Sequence, residues 1–160
     1  MAGKQISVHR VVRADPESVW AVLTDLENAC DTLRGVIRID VVEGDGYAVG
    51  TRWRETRKLF GMEETQEMYV TAVERPRRTT VEADSGAHYT TEYLLEPVED
   101  GTDLRVTFGA HHPDPNLLQR LTFAVFGQVG ARVTTRMLAQ DLSDIARRAE
   151  AAEADGTTGD

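Results

Sequence analysis

Glu55, Arg57, Glu64 and Gln66 are the residues of this chain whose types and spacing point most directly to chemistry. They recur at alternate positions on two strand-like segments, 51–60 and 62–74, joined by the turn Phe60-Gly61. A hairpin centred on that turn sets Lys58 opposite Glu63, Arg57 opposite Glu64, Glu55 opposite Gln66 and Arg54 opposite Glu67. One face then carries Arg52, Arg54, Thr56 and Lys58 against Glu63, Thr65, Glu67 and Tyr69, a charge-paired surface suited to water. The other carries Trp53, Glu55, Arg57 and Leu59 against Met62, Glu64, Gln66 and Met68, and Trp53 and Met68 mark it as the inward face. An ionised group sealed in a dry interior is costly even after relaxation, so these inward polar side chains require compensation. Two arrangements supply it: a hydrated or ligand-filled cavity, or an Arg57–Glu64 pair wetted from the rim of a barrel end.

The cavity arrangement makes Trp53, Leu59, Met62, Met68, Tyr89 and Tyr93 an apolar wall, with Glu55, Arg57, Glu64 and Gln66 as groups that orient a guest. Two chemistries fit. In a carrier or sensor, Arg57 meets an acidic or carbonyl head group while Trp53, Met68, Tyr89 and Tyr93 cover the body of the molecule. In an enzyme, the catalytic candidates are Glu55 or Glu64, moving a proton, and Arg57 or Tyr93, polarising a carbonyl; such work needs a carboxyl group shifted toward neutrality by burial.

Other chemistries lack their residues. Cys30 is the one cysteine, so neither a disulfide within the chain nor a paired-cysteine metal site can form. In His111-His112-Pro113-Asp114 the adjacent histidines point opposite ways on extended backbone, and no further ligands converge, so no metal is expected. No phosphate loop or nucleophile elbow occurs, and no cofactor is expected. Arg75, Arg77 and Arg78 read as a solvated turn rather than a nucleic-acid site.

The elements that must position these residues follow from pattern. Residues 6–13 have strand composition, with Ile6, Val8 and Val12 on one side. Asp15-Pro16-Glu17 is a helix start, and Val19, Trp20 and Leu23 give that helix an apolar face. A second short helix is expected over 26–33, ended by Gly35. Strands at 36–43, 51–60, 62–74, 79–84, 89–97 and 104–110 alternate with turn signals, as in an antiparallel meander. Beyond Pro115 the pattern is helical to about residue 152, with a break between Gly127 and Gly130 that would let 117–126 act as a lid or gate. The class is α+β: a curved antiparallel sheet of about seven strands wrapped around a long C-terminal helix, with two short helices after the first strand.

With 160 residues and 41% hydrophobic content, the chain should form one domain over 1–152, followed by a disordered acidic tail over 153–160. Its 18 basic against 27 acidic residues give a formal charge of −9, which argues against nucleic acid or an anionic membrane surface as partner. No segment is apolar enough for stable membrane insertion, and the start Met1-Ala2-Gly3-Lys4-Gln5 lacks a secretory signal, so a cytoplasmic monomer or homodimer is expected.

The order of elements, together with Ala14-Asp15-Pro16-Glu17-Ser18-Val19-Trp20, Asp25, Gly50 before Trp53, the strand end at 70–76, Gly101-Thr102-Asp103-Leu104 and Leu138-Ala139-Gln140-Asp141-Leu142, resembles the START-like helix-grip superfamily of polyketide cyclase/dehydrase and lipid-transport proteins. The resemblance covers nearly the whole chain. It implies an elongated cavity between sheet and long helix that binds a hydrophobic or amphipathic molecule, lipid or polyketide-like, without metal or nucleotide. Members range from carriers to cyclases and protein-interaction domains with a collapsed cavity, so all three functions stay open. The chain departs from its relatives at Asp31-Thr32-Leu33-Arg34-Gly35, where they often carry Trp and Pro.

Overall fold

The computed structural model describes residues 5–59, 61–111, 114, 116 and 128–157. Strand β1 (Gln5–Val12) leads into helices α1 (Pro16–Leu23) and α2 (Ala29–Thr32). Strands β2 (Val36–Glu43), β3 (Arg52–Leu59), β4 (Met62–Glu74), β5 (Arg78–Asp84), β6 (His88–Val98) and β7 (Gly101–His111) follow, and helix α3 (Gln128–Thr157) closes the chain. The strands form one antiparallel sheet in the order β1-β7-β6-β5-β4-β3-β2, as an α+β helix-grip fold requires.

Local chemistry sets the ends of these elements. Asp15 caps α1 by accepting from the Ser18 amide at 2.8 Å, and this bond holds its carboxyl below the usual carboxylate range. Pro16, which has no N–H to leave unsatisfied, opens the helix. At the β6–β7 turn, Gly101 has φ 146°, and a side chain there would drive into the Val12 carbonyl oxygen. Beside it, the buried Thr102 hydroxyl donates to the Ala14 carbonyl at 2.7 Å, tying the turn to the start of α1.

The hairpin register is the expected one throughout, from Trp53 opposite Met68 to Leu59 opposite Met62. One inward row crosses five strands, Trp53–Met68–Ala83–Tyr89–Ala110, each residue paired with the next. Against this face lie two separate apolar clusters. The larger joins Val12, Val19, Trp20, Leu95, Leu104 and Val106 to Leu138, Leu142, Ile145, Ala146 and Ala149 of α3. The smaller gathers Trp53, Val70 and Val81, with Leu26, Ile39, Tyr47 and Met68 packed on it.

Helix α3 continues through residue 152, where a disordered tail was expected to begin, and is helical as far as Thr157. The reason is a set of backbone contacts that composition does not reveal. Glu150 accepts from the Arg13 amide at 3.0 Å, and Glu153 from the Asp15 amide at 3.1 Å and the Ser18 hydroxyl at 2.9 Å. The proposed lid over 117–126 lies outside the described residues, as do Gly127 and His112, but the break expected between Gly127 and Gly130 is not present over 128–130, where α3 already runs as continuous helix. No helix among the described residues is long and apolar enough to cross a membrane.

Candidate functional site

Between the two clusters the sheet and α3 part around a cavity of about 300 Å³, at the lower end of the roughly 300–1,000 Å³ typical of small-molecule sites. Its floor is the inward face of β3 and β4, its far wall is β5 to β7, and α1, α2 and α3 close the other side. Trp53, Glu55, Arg57, Leu59, Glu64, Gln66, Met68, Tyr89 and Tyr93 all line it. Met62 does not. The register puts it on the inward face, but it stands at the end of the β3–β4 hairpin and is 74% exposed.

Arg57 is the centre of the polar part, and its partners differ from the Glu64 pairing considered above. Its Nε donates to Glu55 Oε1 at 2.6 Å, and its two terminal nitrogens donate to Asp141 Oδ1 and Oδ2 at 3.2 and 2.9 Å. The second oxygen of Glu55 accepts from the Trp53 indole N–H at 3.1 Å. Glu64 lies farther out, on exposed strand, within 3.5 Å of the Gln66 amide nitrogen. The alternation that aims Glu64 inward is right, but the helix supplies a better-placed carboxylate. Gly35 backs the cluster: a Cβ there would stand 3.3 Å from an Arg57 terminal nitrogen.

Asp141 is the residue that sequence reasoning missed as a partner. It sits on the buried stripe of α3, three residues after Leu138 and four before Ile145, with its side chain 5% exposed. A carboxylate on an otherwise apolar helix stripe, facing a sheet with an inward arginine, was the available signal. Burial opposes the Arg57 charge, but Asp141 and then Glu55 outweigh it and hold the guanidinium protonated. One guanidinium between two carboxylates leaves the cluster short of positive charge. The deeply buried Asp141 carboxyl is accordingly pushed up by burial, against the pull of Arg57.

Two tyrosines complete the wall. Tyr93 faces the cavity, and among the described residues its hydroxyl has no hydrogen-bond partner; enclosure pushes its pKa up, so it stays neutral. Tyr47 enters from the β2–β3 loop, whose Gly44 and Gly46 adopt positive φ. Its ring lies edge-on to Trp20 and tilted against Trp53, each at 6.4 Å between centroids. The Thr79 hydroxyl donates to the Ala72 carbonyl at 2.9 Å, so the Tyr47 hydroxyl must donate to Thr79, at 2.7 Å. Burial raises Tyr47 to about 12. Sequence reading took this loop as a turn and did not anticipate an aromatic pointing back into the wall. Among the described residues no cluster of His, Cys, Asp and Glu could hold a metal ion.

The arrangement can enclose an apolar body and present hydroxyl, carboxyl and guanidinium groups to one end of it. Three solved structures share its fold. TTHA0849 from Thermus thermophilus superposes with a TM-score of 0.75 at 19% identity, covering 93% of this chain and 99% of that one. The Zhui aromatase/cyclase from a Streptomyces species gives 0.73 at 17%, covering 92% and 93%. A norcoclaurine synthase point mutant from Thalictrum flavum, solved with a transition-state analogue, gives 0.74 at 18%, covering 94% and 96%. No curated protein sequence matches the chain. The family model described as polyketide cyclase / dehydrase and lipid transport matches residues 4–150, and with nearly its whole length accounted for in this way the chain belongs to that family.

Proposed function

We propose that the protein binds a hydrophobic or amphipathic small molecule, lipid or polyketide-like, between its sheet and α3, and acts as a carrier or sensor. The observation that carries this reading is a hollow of about 300 Å³ whose wall is mostly apolar and aromatic but includes a Tyr93 hydroxyl with no partner among the described residues and a prebuilt Arg57 cluster. The family range supports it, since lipid transport is part of the family's description. The test is native mass spectrometry of gently purified protein, followed by organic extraction. A co-purifying apolar molecule of stoichiometric amount is expected; protein that arrives empty and binds no member of an apolar metabolite panel would end the reading.

A second reading, a cyclase or dehydratase, has one observation of its own. Burial pushes the Asp141 carboxyl up, against the pull of the Arg57 guanidinium 2.9 Å away, the direction an acid–base group needs. Glu55 and Asp141 each have both oxygens engaged, so hydrogen bonding does not separate them; burial favours Asp141 for the acid–base role, and the polarising role falls to Tyr93. One structural relative is by name an aromatase/cyclase. Chemical change of the extracted molecule on incubation with the protein, abolished in Asp141→Asn, would decide for catalysis. A molecule returned unchanged decides for carriage.

A further inference from the structure

Resting on the binding reading above, we propose that the cavity selects its guest by charge, taking an uncharged or cationic molecule and rejecting an anionic one. The ground is the set of charged groups around the space. Among the described residues that line it, Arg57 is the only cation, set against four carboxylates, Asp25, Glu55, Glu64 and Asp141. Arg57 is the obvious place to capture a carboxylate head group, and its geometry removes that option. A guanidinium clamps an incoming carboxylate through parallel N–H donors, and here both terminal nitrogens already serve Asp141 while Nε serves Glu55. An anionic guest seeking that two-pronged clamp would have to displace Asp141, which is anchored in α3 and almost fully buried, and leave its charge uncompensated.

Arg57 keeps one further N–H on each terminal nitrogen, and the other donors left for a guest are neutral. The hydroxyls of Tyr89, Thr91 and Tyr93 face the cavity and have no hydrogen-bond partner among the described residues. Enclosure raises both tyrosines, Tyr89 also through the nearby Glu64 charge, so they remain O–H donors. Such groups suit a ketone, a phenol or an amine.

Two fluorescent probes on one skeleton test the proposal: uncharged N-phenyl-1-naphthylamine and 1-anilinonaphthalene-8-sulfonate, titrated into the full chain at neutral pH. The uncharged probe is expected to bind at least about tenfold more tightly. Glu55→Gln and Glu64→Gln, which remove charge at nearly constant volume, should narrow the gap, the deeper Glu55 more. Glu64 lies on exposed strand, so its variant keeps the test available if Glu55→Gln does not fold. Equal or tighter binding of the sulfonate, or a gap unmoved in the folded variants, would overturn charge selection while leaving the binding reading intact. Failure of both probes to bind would remove the binding reading, and this inference with it.

Discussion

The two ends of α3 meet the same sheet in opposite ways. Over 138–149 the helix buries Leu138, Leu142, Ile145, Ala146 and Ala149 in the large apolar cluster with β1, β7 and α1, and only Leu138, Asp141 and Ile145 of this stretch also border the hollow. Over 129–137 no side chain is fully buried, and Thr134 and Met137 border the hollow instead. The sheet mirrors this contrast. Around Leu95, Leu104 and Val106 the inward positions are aliphatic and closed, whereas across β3 and β4 they are Glu55, Arg57, Glu64 and Gln66. Stability is thus carried mainly by side chains such as Leu142 and Ala146 that stand away from the hollow and binding by those that border it, and a substitution should act on one far more than on the other.

The largest effect is expected where polar groups are buried. Arg57→Leu leaves Asp141 and Glu55 without their cation and should cost about 3–5 kcal/mol in urea unfolding. The triple variant Glu55→Gln, Arg57→Leu, Asp141→Leu should recover most of that loss, because an ion pair replaced whole is often neutral for stability. Away from the hollow, Leu142→Ala should cost about 2–5 kcal/mol with little change in probe binding; if binding weakened as much as stability, the division of labour would be wrong. Paired enlargements sharpen the comparison. Val106→Phe in the closed core should cost about 1–3 kcal/mol through overpacking. Thr91→Phe, pointing into empty space, should stay near neutral in stability while abolishing probe binding.

The smallest effect concerns the outer face near the β5–β6 turn. His88 bonds Asp84 at 2.8 Å and Glu82 at 2.7 Å, contacts that raise its pKa above 6.5 and hold the Asp84 carboxyl down. The raised His88 contributes stability in full below about pH 6.5 and loses it as pH climbs through the folded value. The lowered Asp84 works the other way, losing its contribution as pH falls below 3.8 through the folded value. With His88 about a third exposed, the difference between wild type and His88→Gln should stay under about 1 kcal/mol, greatest near pH 5–6 and gone in alkali. A difference that instead grew above pH 8 would contradict these contacts.

What the sequence disclosed depended on whether geometry could be counted along the chain. The β3–β4 pairing was legible because the Phe60-Gly61 turn and a period of two fix every partner. Asp15-Pro16 announced α1 because capping is local. The Arg57 partner was not legible, since pairing Asp141 with Arg57 joins residues 84 positions apart and needs the roll of α3 over the sheet. Met62 followed the alternation yet is exposed, because periodicity gives a face but not how far along the hairpin that face is covered. Residues 153–157 read as tail by composition, while Glu153 in fact holds the backbone at the start of α1.

Asp144, buried one turn from Asp141, accepts from the Arg34 amide at 3.0 Å and its Nε at 2.8 Å, and also bonds Arg147. Two acids on adjoining aspects of α3 therefore grip two separate pieces of the shell, β3 through Arg57 and the loop after α2 through Arg34. Rolling the helix by a single residue, roughly 100° for a 3.6-residue turn, would break both grips together. The frame is keyed like a lock barrel, so the surfaces around the hollow can be recut for a different guest while the helix keeps its seat.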